Sequence, residues 1–216
     1  MGGSFNPAHA GHRHISLLAL KLLKLDQVWW LVSPQNPLKP VAGMAPLAER
    51  LSQAALTARH PRIKVTDLER LLGTRYTADT LARLQRNFPR MRFVWLMGAD
   101  NLSQIHRWDR WERIFAMLPI AVFDRPLYSL RALASKAARR FAGRRFRLSD
   151  AGRLGDLMAP AWIFIRAPLH AASATAIREK RARAERLVEK RLGQQHMRVE
   201  DGKNGRLKVR STPHPR

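Results

Sequence analysis

Two histidines three residues apart, His9 and His12, stand in the run Gly2-Gly3-Ser4-Phe5-Asn6-Pro7-Ala8-His9-Ala10-Gly11-His12, which leads into an apolar, helix-like stretch from Ile15 to Leu25. Glycines let a backbone turn tightly and approach a ligand, and a helix opening near Gly11 or His12 aims unpaired N–H groups and its positive dipole end at that turn. Such a place binds an anion, and imidazoles beside it can add charge-assisted hydrogen bonds near neutral pH. Far along the chain, Ser173-Ala174-Thr175-Ala176-Ile177-Arg178 offers two hydroxyls, the start of a helical run and a cation in one place, a combination that suits a polyphosphate. Each run alone is an ordinary turn or cap. The two together point to phosphate chemistry.

The block GGSFNPAHAGH resembles the signature of the nucleotidyltransferases that carry an HxGH motif, and Ser173 to Arg178 resembles that family's ISSTxIR signature. The resemblance implies that Gly2, Gly3, Ser4 and Phe5 form the ATP turn and that His9 and His12 contact the ATP phosphates. It implies that Ser173, Thr175 and Arg178 hold the β- and γ-phosphates, with Ala174 standing where the pattern has its second serine. The loop Ser33-Pro34-Gln35-Asn36-Pro37-Leu38-Lys39-Pro40 is held out of helix by three prolines. It resembles the family's loop after the second strand, in which an Asn and a Lys approach the substrates, here Asn36 and Lys39.

Two further stretches resemble the nicotinate mononucleotide adenylyltransferase branch. In Tyr76-Thr77-Ala78-Asp79-Thr80-Leu81, Thr77 is a candidate N-cap, and the similarity makes Tyr76 and Thr77 contacts to a pyridine nucleotide. GADNLSQIHRWDRWERI begins at Gly98, after the apolar run Phe93-Val94-Trp95-Leu96-Met97. Ligands of open α/β sheets bind beyond the carboxyl ends of strands, where Gly98 and Asp100 would face a ribose or a base. Trp108 and Trp111 are three apart, so on a helix they share a face; the resemblance assigns Trp108 to stacking on the nicotinate ring and leaves Trp111 to packing.

The implied reaction is adenylyl transfer from ATP to nicotinate mononucleotide. Mg²⁺ would be carried mainly on the ATP phosphates, with no metal site built by the protein, and His9, His12, Lys39 and Arg178 would neutralise charge. Nicotinamide mononucleotide and phosphopantetheine are the alternative acceptors, since a stacking tryptophan does not by itself tell the acid from the amide. A reading of another class is an RNA-binding module on an inactive scaffold. It comes from the charge: 40 Lys and Arg against 16 Asp and Glu give +24 over 216 residues, and clustered cations neutralise nucleic-acid phosphates. Much of that excess lies in Arg139-Arg140, Arg144 to Arg147 and the stretch from Arg178 to Arg216, outside the phosphate motifs, so nucleic acid is the weaker partner. A homo-oligomer stays open.

No cysteine is present, which excludes disulfides and thiolate metal sites. No apolar run reaches ~18 residues and no signal-peptide pattern opens the chain, so a soluble cytoplasmic protein is expected. Apolar β-runs at Val28–Val32, 63–65, 93–97, 120–123 and 161–165 alternate with helical patterns, which predicts an α/β, Rossmann-like parallel sheet. One nucleotidyltransferase domain over 1–191 and a basic, mobile tail over 192–216 are expected. A central strand that the family places ahead of GGSF is missing, because the glycines directly follow Met1. The expected cellular chain therefore starts about six to ten residues upstream, a strand's worth.

Overall fold

The computed structural model describes residues 1–35, 43–125 and 127–166, together with 174, 175, 177–179, 183 and 184. Met1–Ala174 and Thr175–Arg216 are two compact units. In the first, β1 (Gly2–Gly3) leads to α1 (Ala10–Leu22), β2 (Val28–Val32), α2 (Leu47–Ala58) and β3 (Ile63–Thr66). Then come α3 (Leu68–Leu71), α4 (Thr77–Asn87), β4 (Trp95–Gly98), α5 (Ala99–Gln104), a 3₁₀ turn at Ile105–Arg107 and α6 (Trp111–Met117). β5 (Ile120–Phe123), α7 (Ser129–Leu133), α8 (Lys136–Arg140), β6 (Arg145–Phe146), a 3₁₀ stretch at Leu148–Asp156 and β7 (Trp162–Ile165) complete it.

Every strand pair is parallel: β1-β2-β3 form one hydrogen-bonded group and β4-β5-β7-β6 the other. The strands read as continuous apolar runs, VWWLV, IAVF and WIFI, because helices cover both faces of a parallel sheet. This is the α/β, Rossmann-like class that the alternation predicts. The central strand is not absent altogether: Gly2 and Gly3 themselves pair with Leu31 and Val32. Met1 extends the ladder, its carbonyl accepting from the Leu31 N–H at 2.9 Å and its ammonium donating to the Trp29 carbonyl at 2.9 Å. The sequence pattern hid this because two glycines carry no apolar side chains by which a strand is recognised.

Two cores lie on the two faces. Trp30, Val32, Phe123, Ile163 and Ile165 pack with α1 and α2, and Leu31, Met97, Ile120, Val122 and Trp162 pack with α4 to α8. Trp30 is the anchor of the first. It is fully buried, its ring stacks on Phe5 with centroids 5.0 Å apart, and its indole N–H donates to Ser16 Oγ at 2.8 Å, which in turn donates to the His12 carbonyl at 2.8 Å. One side chain thus ties β2 to the turn after β1 and to the first turn of α1. The basic stretch between Leu127 and Met158 supplies α7, α8 and the edge strand β6. Trp111 packs edge-on against Phe115 and Phe141, as its assignment to packing requires. Among the described residues no helix is long and apolar enough to cross a membrane.

Trp30→Ala is expected to lower unfolding free energy by about 3 to 5 kcal/mol in urea titration, as for other buried aromatic truncations. A loss below about 1 kcal/mol would mean that the Phe5–Trp30–Ser16 connection does not hold this half together.

Candidate active site

β1-β2-β3 and β4-β5-β7-β6 are separate hydrogen-bonded groups that meet where the Trp95 ring of β4 lies against Gly2 of β1, and α/β folds leave a crevice at the carboxyl ends of the strands where the order reverses. A cavity of about 570 Å³ opens there. Gly2, Gly3, Ser4 and Ser33 form one wall, Glu69, Arg75, Tyr76 and Thr77 a second, and Trp95, Asp100, Asn101 and Gln104 a third, with Arg107, Trp108 and Asp109 at the rim. Gly2 is there for a steric reason: a Cβ on it would lie 2.7 Å from the ring of Trp95. A Cβ on Gly98 would meet the Asp100 carboxylate and crowd the Arg125 side chain.

Three buried polar atoms of this lining, Ser4 Oγ, Trp95 Nε1 and Asp100 Oδ1, have no partner among the described residues. Leaving such a group unsatisfied costs about 1 to 3 kcal/mol, so the three together concentrate an energetic cost beside one cavity. The indole asks for an acceptor, the carboxylate for a donor, and the hydroxyl takes either. The other carboxylate oxygen of Asp100 accepts from Arg125 Nη1 at 3.2 Å, which fixes the direction in which Oδ1 points.

The turn that follows β1 is held in an unusual shape. Phe5 has φ 47, in the left-handed region that costs a non-glycine residue, and its ring goes inward to Trp30 and to His12, 4.8 Å away. His9 is the N-cap of α1, whose first residue, Ala10, lies one position ahead of the expected start near Gly11 or His12. Its ring lies 3.8 Å from that of His12. The His9 backbone N–H donates to His12 Nδ1 at 3.2 Å. Neither histidine is part of the cavity lining; both sit at the N-terminus of α1 just past the turn that is.

Behind the wall lies Arg50, 3 % exposed. Its Nη1 donates to the carbonyls of Ser4 and Ser33, each at 2.7 Å, Nη2 to that of Pro34 at 2.9 Å, and Nε to that of Ala45 at 2.9 Å. Across the cavity, α4 opens at Thr77 with Tyr76 as N-cap and no side chain capping it. Thr77 is therefore the first helical residue rather than the cap, and the free end of the helix faces the cavity. Trp108 sits in extended backbone between the 3₁₀ turn and α6, not on the helix face that its spacing to Trp111 suggested. Arg110, in the left-handed region at φ 47, ties that turn down by donating to Asp79 and Asp109, each at 2.6 Å.

The family model described as cytidylyltransferase-like matches residues 1–180. A protein of Cereibacter sphaeroides named probable nicotinate-nucleotide adenylyltransferase is 56 % identical over 178 residues, 82 % of this chain and 94 % of the relative. One of the same name from Methylorubrum extorquens is 52 % identical over 179 residues, 83 % and 97 % of the two chains. The chain belongs to the cytidylyltransferase-like family, in its nicotinate-nucleotide adenylyltransferase branch. Among solved structures, Plasmodium falciparum nicotinic acid mononucleotide adenylyltransferase complexed with NaAD shares the fold, with TM-score 0.62 and 16 % identity over 82 % of this chain and 80 % of that one.

The fold of this nucleotidyltransferase brings Gly2, Gly3, Ser4, Tyr76, Thr77, Asp100 and Trp108 onto one cavity, with Gly98 beneath Asp100. Asn36, Lys39 and Ser173 lie outside the described residues. Thr175 and Arg178 belong to the second unit, where Arg178 Nη2 donates to Thr175 Oγ1 at 3.3 Å. Sequence reasoning did not single out Arg50, Glu69, Trp95 or Arg110. Arg50 had a legible signal: it falls four residues before Ala54 and eight before Ala58, so it interrupts the buried stripe of α2 with a charge.

Glu69 is 6 % exposed, and burial pushes its carboxyl above the ordinary value of 4.5, partly offset by the Ser33 hydroxyl and the Met1 ammonium. Burial lowers that ammonium to about 5, Glu69 pulling it the other way. A raised carboxyl contributes stability below its unfolded value and loses it as pH rises through the folded one. The ammonium has the opposite sign, contributing above pH 8 and losing it as pH falls towards 5. Glu69→Gln removes the first and also the pull of Glu69 on the ammonium, which would then fall further; both changes favour the variant less as pH falls, so urea unfolding is expected to find it more stable than the parent at pH 8, the difference narrowing towards pH 5. A difference that widens as pH falls would contradict the assignment.

Proposed function

We propose that this chain transfers the adenylyl group of ATP to nicotinate mononucleotide, giving nicotinate adenine dinucleotide and pyrophosphate in NAD biosynthesis. The observation that carries it is one cavity lined both by the glycine turn Gly2-Gly3-Ser4 and by the uncapped start of α4 with Tyr76, Thr77 and Trp108, while the N-terminus of α1 lies just past that turn. The 5′-phosphate oxygen of the mononucleotide attacks the α-phosphorus of ATP, and the bond to the bridging oxygen of pyrophosphate breaks. Catalysis is then positioning plus neutralisation of charge.

The roles follow from chemistry. Gly2, Gly3, Ser4 and the Phe5 backbone cradle phosphate oxygens. His9 and His12, with Lys39 and Arg178, offset their charge, and Ser173 and Thr175 hold the β- and γ-phosphates. Gly98 leaves room for Asp100, and the pair is assigned to the ATP side, toward a ribose or a base. Trp108 stacks on the pyridine ring, with Tyr76, Thr77 and Asn36 as further contacts. A helix N-terminus favours an anion, so the uncapped start of α4 supports the carboxylate of nicotinate over the amide. Mg²⁺ enters as the complex of ATP, carried on the phosphate oxygens. The activity is assigned to the cytoplasm, where ATP is available.

Pyrophosphate release from ATP and Mg²⁺ tests this with nicotinate mononucleotide, nicotinamide mononucleotide and phosphopantetheine as acceptors. Turnover is expected with the nicotinate substrate at least tenfold above the others, and His12→Ala is expected to lower kcat about 10²- to 10³-fold, the cost of one preorganised donor. Folded protein that releases no pyrophosphate with any of the three, and retains RNA in a salt-dependent way, would replace the proposal with a binding role.

A further inference from the structure

We propose that Arg50 is a positioning residue for adenylyl transfer, fixing the phosphate turn after β1 against the loop after β2 through their carbonyl oxygens. This rests on the adenylyl-transfer reading above. Nη1 alone bridges the two segments, at 2.7 Å from the Ser4 oxygen and 2.7 Å from the Ser33 oxygen, and both residues line the cavity. Nη2 holds Pro34, one step further along the same loop, and Nε holds Ala45 ahead of α2. Three chain segments and one helix are thus referenced to a single planar group. Only a guanidinium offers donors in such a fixed fork.

The energetics favour this over a purely structural role. Arg50 is buried, yet among the described residues its charge meets carbonyl dipoles and no carboxylate. A buried charge is expensive, and well-packed apolar residues commonly serve a fold as well or better. What an apolar residue cannot do is tie Ser4 to Ser33, or place a permanent positive charge one peptide group behind the wall that receives phosphates. Transfer needs the attacking oxygen and the α-phosphorus in line, and a misplacement of about 1 Å can cost on the order of 10²-fold in rate. Each loop still binds its own substrate without Arg50; their mutual placement is what is lost.

The test is steady-state kinetics of pyrophosphate release on the full chain, with Arg50→Gly and Arg50→Lys beside the parent and thermal unfolding to establish that each is folded. Arg50→Gly is expected to lose about 10²-fold in kcat while KM for ATP and for nicotinate mononucleotide each change less than about threefold. Millimolar guanidinium is expected to restore at least tenfold of that loss and to leave the parent unchanged. Arg50→Lys keeps the charge but cannot span the carbonyls, and an intermediate loss that guanidinium does not restore is expected. Folded Arg50→Gly with parental kcat overturns the proposal, as does a loss confined to KM or one that guanidinium does not restore. Should Arg50→Gly not fold, parental kcat in Arg50→Lys overturns it and a loss of about tenfold in kcat alone supports it. An inactive parent instead points to failure of the adenylyl-transfer reading itself.

Discussion

The close approach of β1 to β4 at Gly2 is the constraint from which the site follows. Only a residue without a Cβ lets the Trp95 indole lie against the strand, at a point where the two hydrogen-bonded groups of strands meet. Because the strand order reverses there, the carboxyl ends of β1, β2 and β4 open onto shared space. The glycines therefore do two jobs: they permit the seam, and they leave the backbone after β1 bare enough to meet phosphate oxygens.

Around that seam the protein spends polar groups where a fold alone would place apolar ones. Trp95, Ser4 and Asp100 each bury an atom that has no partner among the described residues, and Arg50 buries a cation against carbonyls. Phe5 and Arg110 hold backbone in the left-handed region, one at the phosphate turn and one in the turn next to Trp108. Strain of this kind persists where the surroundings over-determine it, here Trp30 and His12 for the first and Asp79 and Asp109 for the second.

Much of this was legible in the chain itself. The parallel sheet showed in runs such as VWWLV and WIFI, and the turn, the Tyr-Thr pair and the tryptophan were visible as residue types at fixed spacing. What was not legible depends on third dimensions. Trp95 reads as one more apolar strand residue, and nothing in its neighbours says that its ring ends against Gly2 on the wall of a cavity. Trp108 and Trp111 look like one helix face until the chain turns extended between them. The two-residue strand carries no side chains to announce it, and Glu69 is an ordinary surface-type residue until α3 is tucked behind Gly2.

In the proposed reaction the site positions substrates and neutralises charge, with no protein atom bonded to the transferred group at any stage. The stereochemical course at the α-phosphorus tests that most directly, using ATP made chiral there with sulfur and an oxygen isotope and nicotinate mononucleotide as acceptor. One in-line displacement predicts inversion of configuration in the dinucleotide. Retention would contradict it, because it requires two displacements through an adenylylated side chain, for which His9 and His12 are the nearest candidates.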